Sequence, residues 1–273
     1  MSENEFTDEQ LIVNWENITI ANDIMFYLVM MDDELLLELV RRILPELNID
    51  HIKSYAQKQL EVGADIRGVR FDIFLLDDAD RAITVEMQIR NYEYLPKRMR
   101  YYVSIGDTAI LEKGESYENL PETYVIMICP FDYYDRGLHK YTFRHVCREQ
   151  DDLEIDDGVT CIVLNAKGTA DDVDEKLKAV LDYIAGKKSD DEYVGRLEKA
   201  VMHGRLNKEW RRYYMTQEQR DLESRSIGRR EGIEQGEEQL VNVISKLKSG
   251  KTSSELIASG VNARTVERAM KCI

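Results

Sequence analysis

Two short apolar runs joined by an acidic turn constrain this chain more than any other feature. They are Val69-Arg-Phe-Asp-Ile-Phe-Leu-Leu76 and Ala82-Ile-Thr-Val-Glu-Met-Gln-Ile89, with Asp77-Asp-Ala-Asp-Arg81 between them. The turn residues predict an antiparallel hairpin. Side chains alternate faces along a strand, so Val69, Phe71, Ile73 and Leu75 share one face and Arg70, Asp72, Phe74 and Leu76 the other. In the second run Ile83, Val85, Met87 and Ile89 oppose Ala82, Thr84, Glu86 and Gln88. A register that sets Asp72 opposite Glu86 centres the hairpin on Ala79, inside the turn. Asp72, Glu86 and Gln88 then project from one face. Carboxylates are scarce in strand interiors, because an unpaired buried charge is costly. Hard oxygen donors gathered on one preformed face suit Mg²⁺ or Mn²⁺. The alternative is the wetted polar side of an edge hairpin, a common state of antiparallel sheets.

Other segments occur in a fixed order around this hairpin. Asn22-Asp-Ile-Met-Phe26 precedes Gly68-Val-Arg-Phe-Asp72 and Glu86-Met-Gln88. Leu95-Pro-Lys-Arg-Met-Arg-Tyr-Tyr102, Lys113-Gly-Glu-Ser-Tyr117, Tyr124-Val-Ile-Met-Ile-Cys129 and Phe131-Asp132 follow. From about residue 18 to about residue 190 the ordered set resembles the PD-(D/E)XK nuclease family transposases, within the recombination-promoting nuclease group. The resemblance implies an α/β fold, a restriction-endonuclease-like core of mixed central sheet flanked by helices, with a mostly helical C-terminal region. It implies Mg²⁺- or Mn²⁺-dependent hydrolysis of phosphodiester bonds in DNA, linked to recombination or mobile elements. Its signature falls on Asp72, Glu86 and Gln88 as catalytic residues, with metal held by Asp72, Glu86 and the backbone carbonyl of Met87. Gln88 stands where the wider superfamily most often has lysine, so it supplies no positive charge, although Glu-x-Gln is a usual form in this branch. A catalytically inactive DNA- or protein-binding module on the same fold is the competing expectation.

The net charge of −15 sits awkwardly with a nucleic-acid partner, since phosphate neutralisation supplies much of such affinity. Positive charge must be concentrated locally. Lys97, Arg98 and Arg100 follow Pro96, which suits a first helical turn. Basic side chains there oppose the helix dipole, which makes sense if an anion sits nearby. These three, Arg98 foremost, are the expected DNA contacts, with Tyr102 as a fourth candidate; a solvated helix face paired with surplus acids is the bland alternative. Core packing is the more ordinary role for Tyr101 or Tyr102. Glu34 and Glu38, one turn apart on a predicted helix over about 33–44, are candidates for an additional metal ligand, or simply an exposed stripe.

The remaining residues exclude more than they assign. Cys129, Cys147, Cys161 and Cys272, like His51, His139, His145 and His203, lack zinc-site spacing, so reduced cytoplasmic thiols are the default. No glycine-rich phosphate loop appears, against an NTPase. No apolar run is long enough to cross a membrane, and no leader is visible at the N-terminus. Further strands are expected over 51–64, 124–129, 141–146 and 159–164. Residues 1–190 read as the nuclease-like domain and 191–273 as a helical region for oligomerisation or DNA contact. Trp210, Tyr213 and Tyr214 lie among arginines and lysines, a pattern that can stack bases but equally packs a helical hairpin. Gly228, Gly232 and Gly236 recur among charged neighbours, which suggests a soluble helix or linker, and a homodimer through the C-terminal helices is compatible with the pattern. Thr252 and Glu255 have capping-box spacing, and Gly260 separates two short helices that resemble part of a helix-turn-helix or a packed helical tail.

Overall fold

Short polar side chains start most of the described helices. The computed structural model describes residues 15–56, 59–60, 69–70, 73–111 and 113–273. Helix α1 (Asp23–Val29) is capped by Asn22, whose side-chain oxygen accepts the Met25 amide at 3.0 Å. Helix α2 (Asp33–Ile43) is capped by Asp32, which accepts from Glu34 and Leu35. Strands β1 (Ile52–Ala56), β2 (Gln59–Leu60), β3 (Val69–Arg70), β4 (Ile73–Asp77) and β5 (Ala82–Met87) lead to helix α3 (Leu95–Ile110). Strands β6 (Thr123–Cys129), β7 (Lys140–Phe143), β8 (Val146–Cys147), β9 (Gln150–Glu154) and β10 (Val159–Asn165) follow. The chain continues through helices α4 (Glu175–Ile184), α5 (Glu192–Leu206), α6 (Lys208–Lys248), α7 (Ser253–Ala258) and α8 (Ala263–Met270).

Six strands form one mixed sheet in the order β1-β4-β5-β6-β10-β7. β5, β6 and β10 run parallel, while β1, β4 and β7 pair antiparallel to their neighbours. The helix-flanked mixed sheet with a helical C-terminus is the α/β architecture that the resemblance implies. In the hairpin, Ile73 faces Val85 and Leu76 faces Ala82, so the register centres on Ala79 as expected. The first apolar run is divided, however: Val69 and Arg70 pair with Leu60 and Gln59 in a separate two-stranded ladder, and β4 begins at Ile73.

β5 is an interior strand with β4 on one side and β6 on the other, and all six of its residues are buried. That excludes the edge-hairpin alternative for Glu86. On one face of the sheet, Phe74, Ala82, Val125, Met127, Cys129 and Val163 pack with Leu95, Met99, Tyr102 and Ile105 of α3. Ile83, Val85, Ile126, Ile128, Ile162 and Leu164 alternate to the opposite face and are buried there. α1 rests on β5 and α5, and α2 on β1, α4 and α5.

The described residues divide into two compact units, 15–211 and 212–273. Within the first, the junction between α5 and the start of α6 is closely packed. Gly204 lies so close to the Trp210 ring that an added Cβ would stand 2.5 Å from it. Arg205 donates to the Ile18 carbonyl, and the Trp15 indole donates to the Arg205 carbonyl at 2.9 Å. Among the described residues no helix is long and apolar enough to cross a membrane.

Candidate active site

Glu86 is the residue around which a site is built. It lies near the C-terminal end of β5, pairs in register with Met127, and is 2% exposed. A carboxylate this deep is tolerated only when charged and hydrogen-bonding partners compensate its lost hydration. The ladder continues one residue past the strand, where the Gln88 amide donates to the Ile128 carbonyl at 2.8 Å. Gln88 is therefore as firmly placed as the strand itself and is 3% exposed. Its side-chain nitrogen donates to the Arg90 carbonyl at 2.5 Å, which turns its side-chain oxygen the other way.

That oxygen meets Arg98. Helix α3 begins at Leu95 with Pro96 in its first turn, no side-chain cap and no acid in that turn. Arg98 reaches back over the end of β5. Its Nη1 donates to Gln88 Oε1 at 2.7 Å and its Nη2 to Glu86 Oε2 at 3.0 Å. Tyr102, one turn further along α3, accepts from Arg98 Nε at 2.8 Å and from Nη2, and its ring lies 5.1 Å from the guanidinium carbon. One rigid planar fork thus ties the carboxylate, the amide and the phenol together, a geometry that lysine cannot reproduce. Gln88 brings no charge of its own, and Arg98 supplies one to the same spot from the helix.

The other expected residues separate by exposure. Lys97 and Arg100 are exposed, whereas the Arg98 side chain keeps a third of its surface. Tyr102 is 4% exposed and belongs to the core cluster under α3. Met87 is buried beside Glu86. Asp72 lies outside the described residues. Among the described residues there is no cluster of three His, Cys, Asp or Glu side chains able to hold a metal ion. The donors that are present, a carboxylate, an amide oxygen and strand-end carbonyls, are hard oxygens of the kind Mg²⁺ and Mn²⁺ take. Glu38 and Glu34 are engaged elsewhere: Glu38 accepts from Arg42 at 2.9 Å, and Glu34 pairs with Arg196 at 3.2 Å.

Nearby loops owe their shape to other carboxylates. Asp132 accepts the amides of Tyr134, Asp135 and Gly137 and the Tyr141 hydroxyl, a loop-fixing role. Burial pushes the Cys129 thiol up to about 12 and the Cys161 thiol up to about 11, so neither is a poised nucleophile. Two arrangements escaped the sequence. One is the inward turn of Arg98, whose only trace is the spacing of Arg98 and Tyr102 on a helix close behind Gln88. The other is the loop between β5 and α3, where the rings of Tyr92 and Tyr94 stack at 4.8 Å and Arg90 donates to the Tyr92 hydroxyl at 3.1 Å.

A family model, that of the PD-(D/E)XK nuclease family transposase, matches residues 22–230. Searches of curated proteins and of solved structures find no match.

Proposed function

The chain belongs to the PD-(D/E)XK nuclease family transposases, and from that premise we propose that it is a metal-dependent endonuclease that hydrolyses phosphodiester bonds in DNA. The observation that carries this reading is Glu86: a carboxylate at 2% exposure in an interior strand, bound through one arginine to Gln88. Such a group is costly to keep unless it has work to do.

Asp72, Glu86 and the Met87 carbonyl would hold Mg²⁺ or Mn²⁺, which when bound supplies Lewis acidity and an activated water. The chain's own residues do the rest. Gln88, fixed by its ladder bond and by Arg90, orients water or a phosphate oxygen by hydrogen bonding and serves as no base. Arg98 takes the electrostatic place of the missing lysine. Its fork faces the carboxylate in the free protein and offers charge to the scissile phosphate when DNA enters. Tyr102 is a positioning residue that holds the guanidinium in this orientation. Lys97 and Arg100 flank the start of α3, which has no side-chain cap and no acid, so local positive charge there suits a backbone phosphate. The cytoplasm, DNA recombination and mobile-element biology remain part of this proposal.

The deciding experiment is cleavage of supercoiled plasmid and of single-stranded DNA with Mg²⁺ or Mn²⁺, comparing wild type with Glu86→Ala. Metal-dependent cutting that falls about 100-fold or more in the variant supports the reading. Equal cutting by both proteins, or none by wild type, removes it. The latter result would favour a catalytically inactive DNA- or protein-binding module, a reading for which Gln88 in the lysine position is the specific observation.

A further inference from the structure

Beyond the residues that match the family, the chain changes in both charge and architecture. From Val243 to the last residue it carries six basic side chains and two acidic ones, in a protein whose net charge is −15. The basic residues are Lys246, Lys248, Lys251, Arg264, Arg268 and Lys271. Immediately upstream, Glu231, Glu234, Glu237 and Glu238 carry the opposite sign.

The same segment folds around its own small core. Val243, Leu256, Val266 and Ala269 are buried together, with Leu240, Ile244, Leu247 and Val261 packed against them. Three helices contribute: the end of α6, then α7, then α8. Each joint is specified chemically. Gly250 takes a φ of 97° to leave α6, a conformation that favours glycine. Thr252 and Glu255 form a reciprocal capping box that starts α7. Four residues, Ser259–Asn262, then turn the chain into α8, with Gly260 at a φ of 92° and Asn262 accepting the Arg264 amide at 2.9 Å. Two short helices across a four-residue turn that contains glycine, backed by a third helix, have the form of a helix-turn-helix.

Helix α8 has two distinct sides. Val266 and Ala269 face the small core. Arg264, Arg268 and Lys271 recur at the spacing of one helical stripe, and all three are exposed. Only Glu267 interrupts the charge, in an exposed pair with Lys271 at 3.1 Å that water and salt render weak. A basic outward stripe on the second helix of such a pair is complementary to duplex DNA, which offers phosphates along the groove and acceptor edges within it.

We propose that Val243–Met270 is a DNA-reading helix-turn-helix that places α8 in the major groove of duplex DNA. Arg264 and Arg268 face base edges, where an arginine fork matches the paired acceptors of guanine. Lys271 and Lys251 lie on phosphates. The unit would direct the protein to preferred sites, a function separate from cutting.

The test uses the full-length protein and a pool of random duplexes in EDTA, where metal-dependent cutting is off whether or not the chain cuts. Wild type should enrich a guanine-containing motif. Arg264→Ala with Arg268→Ala should lose that enrichment and bind the enriched duplex about tenfold or more weaker. Arg264→Lys with Arg268→Lys keeps charge and helix propensity but lacks the fork; it should retain binding to random duplex and lose the motif. Lys251→Ala with Lys271→Ala should lower the slope of log affinity against log salt by about 0.9 per contact while keeping the motif. Absence of any enrichment by wild type, or the same motif from both arginine variants, overturns the proposal. So does a change of oligomeric state in the lysine-for-arginine variant, which would assign the stripe to protein contact. Loss of plasmid cutting bears on the nuclease reading alone, and loss of enrichment on this one alone.

Discussion

A single arginine decides what the buried carboxylate can be. Glu86 lies in an interior strand between two neighbours, and Arg98 is a charged partner at 3.0 Å. Removing one member of such a pair leaves the other uncompensated, a cost of about 3–5 kcal/mol for fully buried pairs. The Arg98 side chain is 33% exposed, which screens the interaction and lowers the expected cost to about 2 kcal/mol. Arg98→Ala should therefore destabilise the protein by about 2 kcal/mol in denaturant titration. The same change in a Glu86→Leu background should cost about 1 kcal/mol less, since only the bonds to Gln88 and Tyr102 are then lost. Equal costs in both backgrounds would mean that the two side chains are not energetically coupled. The sequence showed that Glu86 and Gln88 share a face, because strand alternation is strict. It did not show the inward turn of Arg98. A helix position that is two-thirds covered looks, in one sequence, like any other position beside a polar stripe.

At the scale of elements, local chemistry was legible wherever a motif is self-contained. The Ala79-centred hairpin, the strand over 124–129 and the Thr252–Glu255 capping box all involve residues a few positions apart. What the sequence left open needed distant partners. The first apolar run divides between two ladders because Val69 and Arg70 find β2 while Ile73 finds β1 and β5. The glycines of the helical region illustrate the same limit. Gly204 and Gly232 both lie inside helices, where glycine is weakening, but of the two only Gly204 has a neighbour. Gly204→Ala should cost about 1–3 kcal/mol, because its Cβ would stand 2.5 Å from the Trp210 ring. Gly232 is exposed inside α6 with nothing within 4 Å of its Cβ position. Gly232→Ala should gain about 0.5–1 kcal/mol and raise the helical circular dichroism signal. If Gly232→Ala proved as harmful as Gly204→Ala, the repeated glycines would be a packing face and not merely weak points of a solvated helix.

For the molecule as a whole, the surplus of acids sets the response to pH. Burial alone would raise Asp191, but the Val194 amide and the Arg42 guanidinium outweigh it and hold its carboxyl below the usual range. Burial likewise opposes a low value at Asp172, where the His139 and Lys140 amides and the His139 ring prevail. A depressed carboxylate contributes stability that is fully present above its unfolded value, about 3.9, and is lost as pH falls through the lower folded value. Asp191→Asn should thus be less stable than wild type at neutral pH, and the gap should shrink only below about pH 4. A gap that stayed constant down to pH 3 in parallel unfolding titrations would refute this assignment of Asp191. The composition itself made the acidity plain; its division, with a basic C-terminal end, appears only when charge is counted segment by segment.

The placement of Glu86, Gln88, Arg98 and Tyr102 within one strand, loop and helix has an evolutionary consequence. The described part of the site is a contiguous cassette of chain, and closing so short a loop costs little entropy. By contrast, β6 and β10 pair across the whole excursion that carries β7, β8 and β9, so Val159 meets Thr123 only after that detour. The detour is anchored to the cassette at its base, where the Tyr133 hydroxyl donates to the Glu93 carbonyl and Tyr141 joins the core cluster of Tyr102, whereas the exposed β8–β9 ladder can lengthen at a cost that grows only logarithmically with length. A lineage can therefore remodel the exposed tip of this excursion while inheriting the arginine-clamped carboxylate intact.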